Sequence, residues 1–288
     1  MKLRKMFAAA IAAVMTISAA GCGSTPVMET AEVEELLTLS QETMASVESM
    51  AAEMTMEMDM SMGDETMETT TVANILTKQN PLLMQMDMSV VMEDGSEAQQ
   101  MVMYAEEVDG KLQTYVSSAD TWYGQTMELG ELGQYDAEAN MELYLNNIES
   151  FTATAEEEIN GTKTTKIEGI ITGEAMEKAI TESGMADSAA SMGVTEAQLQ
   201  EMYADLGDLP ITLWIDGEGY VLKYEMDMTE MMQKIMQKAM EAVGGAETEL
   251  SVKIEKTSIS MVCSDFNNVG EIIIPDEAKT AAFLTTEE

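Results

Sequence analysis

The sequence predicts an α+β fold, with helices packed on one face of a large curved antiparallel sheet. Three observations point there. Apolar residues recur with the helical period in a leading segment and then, abruptly, with period two. Turn dipeptides of the hairpin kind separate several of the alternating runs. The helical segments are grouped at the start, the middle and late in the chain rather than alternating with every strand, which favours segregated layers over a parallel sheet.

The first element is a helix over 30–52. Thr30 is a suitable N-cap, and Glu32, Glu34 and Glu35 suit the positive end of the helix dipole. The residue three positions after Thr30 is Val33, so no capping box is expected. Val33, Leu36, Leu37, Ser40, Met44, Val47 and Met50 form one stripe. A strand follows, in which Met54, Met56, Met58, Met60 and Met62 alternate with Thr55, Glu57, Asp59 and Ser61. Thr69–Thr77, rich in Thr and Val, reads as a second strand. In a third, Met84, Met86, Met88, Val90 and Met92 alternate with Gln85, Asp87 and Ser89. Strands are expected at Met101–Ala105, Lys111–Ser117 and Trp122–Met127, with turns at Asp94-Gly95 and Asp109-Gly110.

The second half opens at Phe151. Phe151–Ile159 and Thr164–Thr172 flank Asn160-Gly161, and Ile211–Ile215 and Tyr220–Met228 flank Asp216-Gly217-Glu218-Gly219. Gly173–Ser183 and Thr195–Leu206 read as helices, the latter with a capping box from Thr195 to Gln198. Thr229–Val243 is helical in composition and stops at Gly244-Gly245. Glu249–Cys263 is a long strand, Ile272–Pro275 a short last one ended by its proline, and the tail after Ala282 is expected to fray.

The N-terminus carries a targeting signal. Lys2, Arg4 and Lys5 precede an apolar stretch over 6–17, and Ser18-Ala19-Ala20-Gly21 are small residues ahead of Cys22. Ala19-Ala20-Gly21-Cys22 resembles the lipobox of bacterial lipoproteins, with Ala19 where leucine is usual. That resemblance implies a diacylglyceryl group on the Cys22 thiol and cleavage before it. The expected organisation is therefore a signal peptide over 1–21, a tether over 22–29 and a single domain over 30–288. The mature protein would be held at the extracytoplasmic face of the membrane by its lipid, since two acyl chains anchor more firmly than one.

Composition narrows the chemistry. A net charge of −39 over 288 residues repels nucleic acid. No calcium loop of the D-x-D-x-D-G type is present. The chain has no histidine, which removes Ser-His-Asp and Cys-His catalysis and the commonest zinc sites. Of its two cysteines, Cys263 has no disulfide partner if Cys22 is lipidated, and alternation places it on one face with Ile259 and Met261 as a small buried hydrophobe. Glu156, Glu157 and Glu158 are consecutive and would point to different faces, so they make no acid–base pair. No enzyme activity and no cofactor are expected.

The order of these elements resembles the LolA/LppX-like lipoproteins of bacterial envelopes. The matching features are Cys22, the leading helix, the Met54–Met62 strand, Gly110-Lys111-Leu112 before Trp122-Tyr123, Leu213-Trp214-Ile215-Asp216 before Tyr220-Val221-Leu222-Lys223, and Ile274-Pro275. The helix at Thr229–Val243 departs from the simplest pattern. The resemblance implies an incomplete β-barrel closed by helices over an apolar cavity, and in some members carriage of lipids or lipidated cargo.

The chain contains 31 methionines. Thioethers suit Cu(I), but sulfurs at i and i+2 of one strand stand roughly 6–7 Å apart, too far to share an ion without help from another strand. Methionine as filler of an apolar face explains the alternation unaided, so no metal site is expected. As the lining of a ligand face the methionines are more informative. Met54, Met56, Met58, Met60, Met86 and Met88 would line it, with Trp122 and Trp214 flanking it. Trp122-Tyr123 could alternatively meet a protein partner. The functional expectation is a membrane-anchored lipoprotein binding an apolar ligand or lipid between sheet and helices. The alternative is a dry-core structural or protein-interaction lipoprotein without a small-molecule ligand.

Overall fold

The computed structural model describes residues 28–63, 65–92, 99–118, 121–128, 150–176, 206–242 and 252–283. The helix α1 (Thr30–Ala45) leads into β1 (Ser49–Met62), β2 (Glu65–Lys78), β3 (Leu83–Met92), β4 (Gln99–Val108), β5 (Lys111–Ser118) and β6 (Thr121–Glu128). The second half adds β7 (Thr152–Ile159), β8 (Thr162–Ile171), β9 (Leu209–Asp216), β10 (Val221–Asp227), the helix α2 (Thr229–Ala242), β11 (Val252–Ser264), the short α3 (Asp276–Lys279) and β12 (Ala282–Phe283).

All twelve strands form one sheet in the order β12-β6-β5-β4-β3-β2-β1-β11-β10-β9-β8-β7. Two meanders diverge from the middle. β1 to β6 run outward on one side, and β7 to β11 return on the other until β11 lies antiparallel to β1. Among the described residues, only β12 pairs in parallel, against β6. The terminal strands β7 and β12 lie at opposite ends of the order, so the sheet is not closed into a barrel.

The two-residue turns behave as their sequences predict. Asp109 and Gly110 have φ of 54° and 75°, and Asn160 and Gly161 have φ of 50° and 84°. Positive φ at both central residues matches the right-handed twist of the flanking strands. At the β9–β10 turn, Asp216 Oδ1 accepts hydrogen bonds from the Glu218 and Tyr220 N–H groups, both at 2.9 Å. Thr43 of α1 donates to Glu218 O at 2.8 Å. A Cβ on Gly219 would stand 2.7 Å from Thr43 Oγ1, so this glycine lets the helix seat on the turn.

Alternation divides the sheet into two faces. The inner face over β7–β10 presents Ala153, Ile167, Ile171, Leu209, Ile211, Leu213, Ile215 and Val221 to Val33, Leu37 and Met44 of α1. Over β1–β5 the same face presents Ala52, Ala73, Ile75, Met84, Met86, Ala105 and Leu112, with Cys263 of β11. Met50 and Phe266 touch both clusters and join them. The outer face over β4–β6 buries Tyr104 and Tyr115 under Ile272, Ile274 and Ala278. α3 thus covers the outer face, opposite α1.

Several boundaries differ from the expectations. α1 ends at Ala45 and not at 52. Val47 and Met50 continue the helical stripe numerically, but β1 begins at Ser49, where Met50 pairs with Thr77 and Ala51 with Leu76. The ladder satisfies backbone groups that one more helical turn would otherwise hold. The N-cap is Glu29 rather than Thr30, and a capping box does form: the Glu29 N–H donates to Glu32 Oε2 at 2.9 Å. Ile272–Pro275 joins no ladder; Ile272 and Ile274 are buried while Ile273 is 66% exposed, and Pro275 caps α3. The expected helices at Gly173–Ser183 and Thr195–Leu206 fall largely outside the described residues, although residues 173–176 are helical and Leu206 is not. The signal, Cys22, Asp94-Gly95, Gly244-Gly245 and the tail beyond Phe283 also lie outside them.

Candidate functional site

The methionine ladder of β1 sits near the middle of the sheet, where long strands on both sides extend its surface. Across the strands the inner face reads in rows. One runs Tyr224, Met261, Met54, Ala73, Met88, Met101. Beside it runs Cys263, Ala52, Ile75, Met86, Met103. On the other side, Met56 lies between Ile259 and Thr71, Met58 between Thr257 and Thr69, and Met60 between Ile254 and Met67. Met54, Met56, Met58, Met60, Met86 and Met88 therefore share one continuous face, as their alternation predicts.

Cover on this face is graded. Ala52, Ile75, Met84, Met86 and Cys263 are buried, forming a dry base near Phe266. Ala73 is fully buried among Met54 and Met88, small residue between large ones. Met54, Met56, Met58, Met60 and Met88 are half-buried, and Met62 and Met67 at the far end are 47% and 45% exposed. α1 packs over β7–β10, not over this ladder. α2 reaches the far end of the face from β11: Gln233 Oε1 accepts from the Ile254 N–H at 2.6 Å, and Thr229 Oγ1 accepts from the Thr257 N–H at 3.0 Å.

The outward side of β1 is polar. Glu57 bonds Lys256 of β11, and the hydrogen bond and positive charge of that lysine hold its carboxyl below the ordinary range. Burial pushes the Cys263 thiol up to about 12, so at neutral pH it stays protonated and is a poor nucleophile.

The two tryptophans are not on the methionine face. Trp122 packs with Tyr104, ring centroids 5.9 Å apart, in the outer-face cluster. Trp214 alternates with Leu213 and Ile215 and lies on the outer face, 4% exposed. Lys166 and Lys223, opposite it on β8 and β10, stand 5.6 and 4.6 Å from its ring. Its Nε1–H donates to Glu157 Oε2 at 2.7 Å. Their expected place beside the ligand face is corrected by parity: both occupy strand positions one residue out of phase with the inward set. The Glu157 partner of Trp214 was not read from the sequence, because strand pairing between β7, β8 and β9 brings the two together across 57 residues.

The structure also contains an open cleft of about 440 Å³ away from the methionine ladder. It lies between the start of α1 and β7 and is lined by Met28, Glu29, Thr30, Glu32, Val33, Phe151 and Thr152. Its lining mixes carboxylates with apolar groups and contains none of the expected ligand residues. Among the described residues, no group of three or more Cys, Asp or Glu is placed to hold a metal ion.

An open antiparallel sheet carrying an apolar face, part of it under helix, defines the general architecture. The chain belongs to a family of unknown function (DUF6612), matched over residues 32–283. No curated protein matches it. Among solved structures it is similar to the lipoprotein LppX of Mycobacterium tuberculosis, with 12% identity, 85% of this chain and 100% of that one covered, and a TM-score of 0.43. It is also similar to LprF from Mycobacterium bovis, with 13% identity, 89% and 100% covered, and a TM-score of 0.46. A putative outer membrane lipoprotein-sorting protein domain from Vibrio parahaemolyticus matches at 12% identity, 85% and 97% covered, with a TM-score of 0.24.

Proposed function

We propose that this protein is a lipid-anchored lipoprotein of the bacterial envelope that binds an apolar ligand, a lipid foremost, on the methionine-lined inner face. Cys22 carries the anchor, and residues 22–29 hold the domain at the extracytoplasmic side of the membrane. Met54, Met56, Met58, Met60 and Met88 contact the ligand, and the buried Met86 backs them from the dry base. The role is binding without catalysis.

One observation carries this reading: the half-buried thioether face of β1 and β3 continues a dry core, while α1, which seals the core over β7–β10, does not extend over it. Leaving apolar surface wet is unfavourable by about 25 cal/mol per Å², so an apolar occupant is stabilised there. Unbranched, polarizable methionines accommodate ligands of irregular shape. The dry base around Met84 and Met86 favours the alternative for that part of the face, where side chains already fill the space.

The test is native mass spectrometry of protein purified from its own envelope, after removal of the anchor. A stoichiometric lipid adduct that survives gentle desolvation and disappears in Met56→Glu/Met58→Glu supports the carrier. Repeated preparations without adduct favour the dry-core alternative. Anchoring is read separately, by whether the native chain partitions into detergent while Cys22→Ser stays in buffer.

A further inference from the structure

The register of the sheet brings together thioethers that strand spacing keeps apart. β3 and β4 pair so that Met86 lies opposite Met103 and Met88 opposite Met101. Directly opposed residues of an antiparallel pair have Cβ atoms about 4.5–5.5 Å apart, while i and i+2 along a strand are separated by roughly 6–7 Å. The four residues make a rectangle on the inner face whose half-diagonal is about 4 Å. A methionine, with its flexible unbranched chain, reaches that centre.

We infer that Met86, Met88, Met101 and Met103 form an all-thioether site for one soft monovalent cation of the Cu(I) or Ag(I) type. Thioether sulfur is a soft donor that selects such ions over hard divalent ones. It is also neutral and aprotic, so binding needs no deprotonation, unlike a thiol. Burial is graded across the rectangle: Met86 is 4% exposed, Met88 and Met103 are half-buried, and Met101 is 37% exposed. The buried corner excludes water from the donors, and the exposed corner is the way in. The strongly acidic chain raises the local concentration of any cation around it.

Elsewhere on the face the same geometry is incomplete. Met54 opposes Met261, and Met60 opposes Met67, but Met56 and Met58 oppose no methionine on either neighbouring strand. Those are pairs, not fourfold sets. Cys263 neighbours Met261 along β11, but burial keeps its thiol protonated. The inference is separate from the apolar-ligand reading, although an ion and a lipid would compete for Met86 and Met88.

The experiment titrates the full chain, purified from its own membrane in detergent and extracted of lipid, with Ag(I). Stoichiometry is read by native mass spectrometry, and the donors by the methyl resonances of ¹³C-methyl-labelled methionine. The expected result is one Ag(I) per chain, with shifts at the four named residues. Met88→Leu/Met101→Leu, which conserves volume, weakens binding by about tenfold or more, while Met44→Leu and Cys263→Ala leave it unchanged. The thermal midpoint of each metal-free variant separates loss of donors from loss of fold; if the double variant is unfolded, Met101→Leu at the exposed corner is read in its place. Absence of stoichiometric binding, binding indifferent to these variants, or binding abolished by Cys263→Ala overturns the assignment. A chain that yields no co-purifying lipid leaves it standing.

Discussion

Over β7–β10 the inner face is built from Ile167, Ile171, Ile211, Leu213 and Ile215, each no more than 2% exposed beneath α1. Over β1 and β3 the same face of the same sheet is built mainly from methionine, and most of it is half-buried. The first region uses stiff, branched side chains where a helix has one seat to find. The second uses flexible ones where protein cover is partial. Branched residues specify a single packing, and methionine tolerates several. The difference separates a part of the molecule sealed by a helix from a part that the proposed function makes the ligand face.

The sharpest way to break this contrast is to truncate one residue in each region. Leu37→Ala removes a fully buried contact between α1 and the sheet and should cost about 2–5 kcal/mol in urea unfolding. Met58→Ala, on the half-buried ladder, should cost about 1 kcal/mol or less, because part of the side chain is already wet. Equal losses would mean that the ladder is core like the rest.

Overpacking probes the first region from the opposite side. A Cβ on Gly169 of β8 would lie 2.4 Å from Phe151 Cδ1, and Phe151 is itself 2% exposed. Gly169→Ala should therefore destabilise by about 1–3 kcal/mol, and adding Phe151→Leu should recover part of the loss in the same unfolding assay. Additive losses in the double variant would show that the ring has room to move.

The outer face sharpens the comparison by supplying a site outside the proposed ligand face. Trp214→Phe keeps the apolar ring but loses the bond to Glu157 and weakens the contact with Lys166 and Lys223. The expected loss is about 1–2 kcal/mol, with lipid co-purification unchanged. A variant that folds but loses lipid would reassign this face.

The smallest effect belongs to Glu57 on the polar side of the ladder strand. Its carboxyl is held below its ordinary value by Lys256, so the ionised pair stabilises the fold above the unfolded-state value and loses that contribution as the pH falls through the folded one. Because the pair is solvent-exposed, Glu57→Gln should cost no more than about 1 kcal/mol at neutral pH. The gap between wild type and variant should close on acidification and shrink with added salt. A gap that widens toward acid would reverse the sign of the coupling.

Much of the fold was readable residue by residue. The alternation of Met54 to Met62 gave β1 and its inward set, and Asp109-Gly110 and Asn160-Gly161 marked hairpins through the positive φ they accept. Helix boundaries were less legible. Val47 and Met50 fit both a continuing helical stripe and the start of β1, and only the ladder to β2 decides between them. Ile272–Ile274 has the composition of a strand, yet its inward residues are used as a lid on Tyr104 and Tyr115 without ladder pairing. The two tryptophans illustrate the limit most clearly: their side chains invite a place beside a ligand, and strand parity sends both to the other face.

What the sequence determined by itself is local: which segments alternate, where the chain turns, and which residues of one strand share a side. These follow from side-chain period and backbone sterics, which act over a few residues. The tertiary structure decided what lies across from what. That Met86 meets Met103, that Val33, Leu37 and Met44 of α1 pack on β7–β10 rather than on the methionine ladder, and that α1 leaves the ladder half-covered depend on strand order and register. Those are settled by hydrogen-bonding between segments far apart in the chain, where no local pattern reaches.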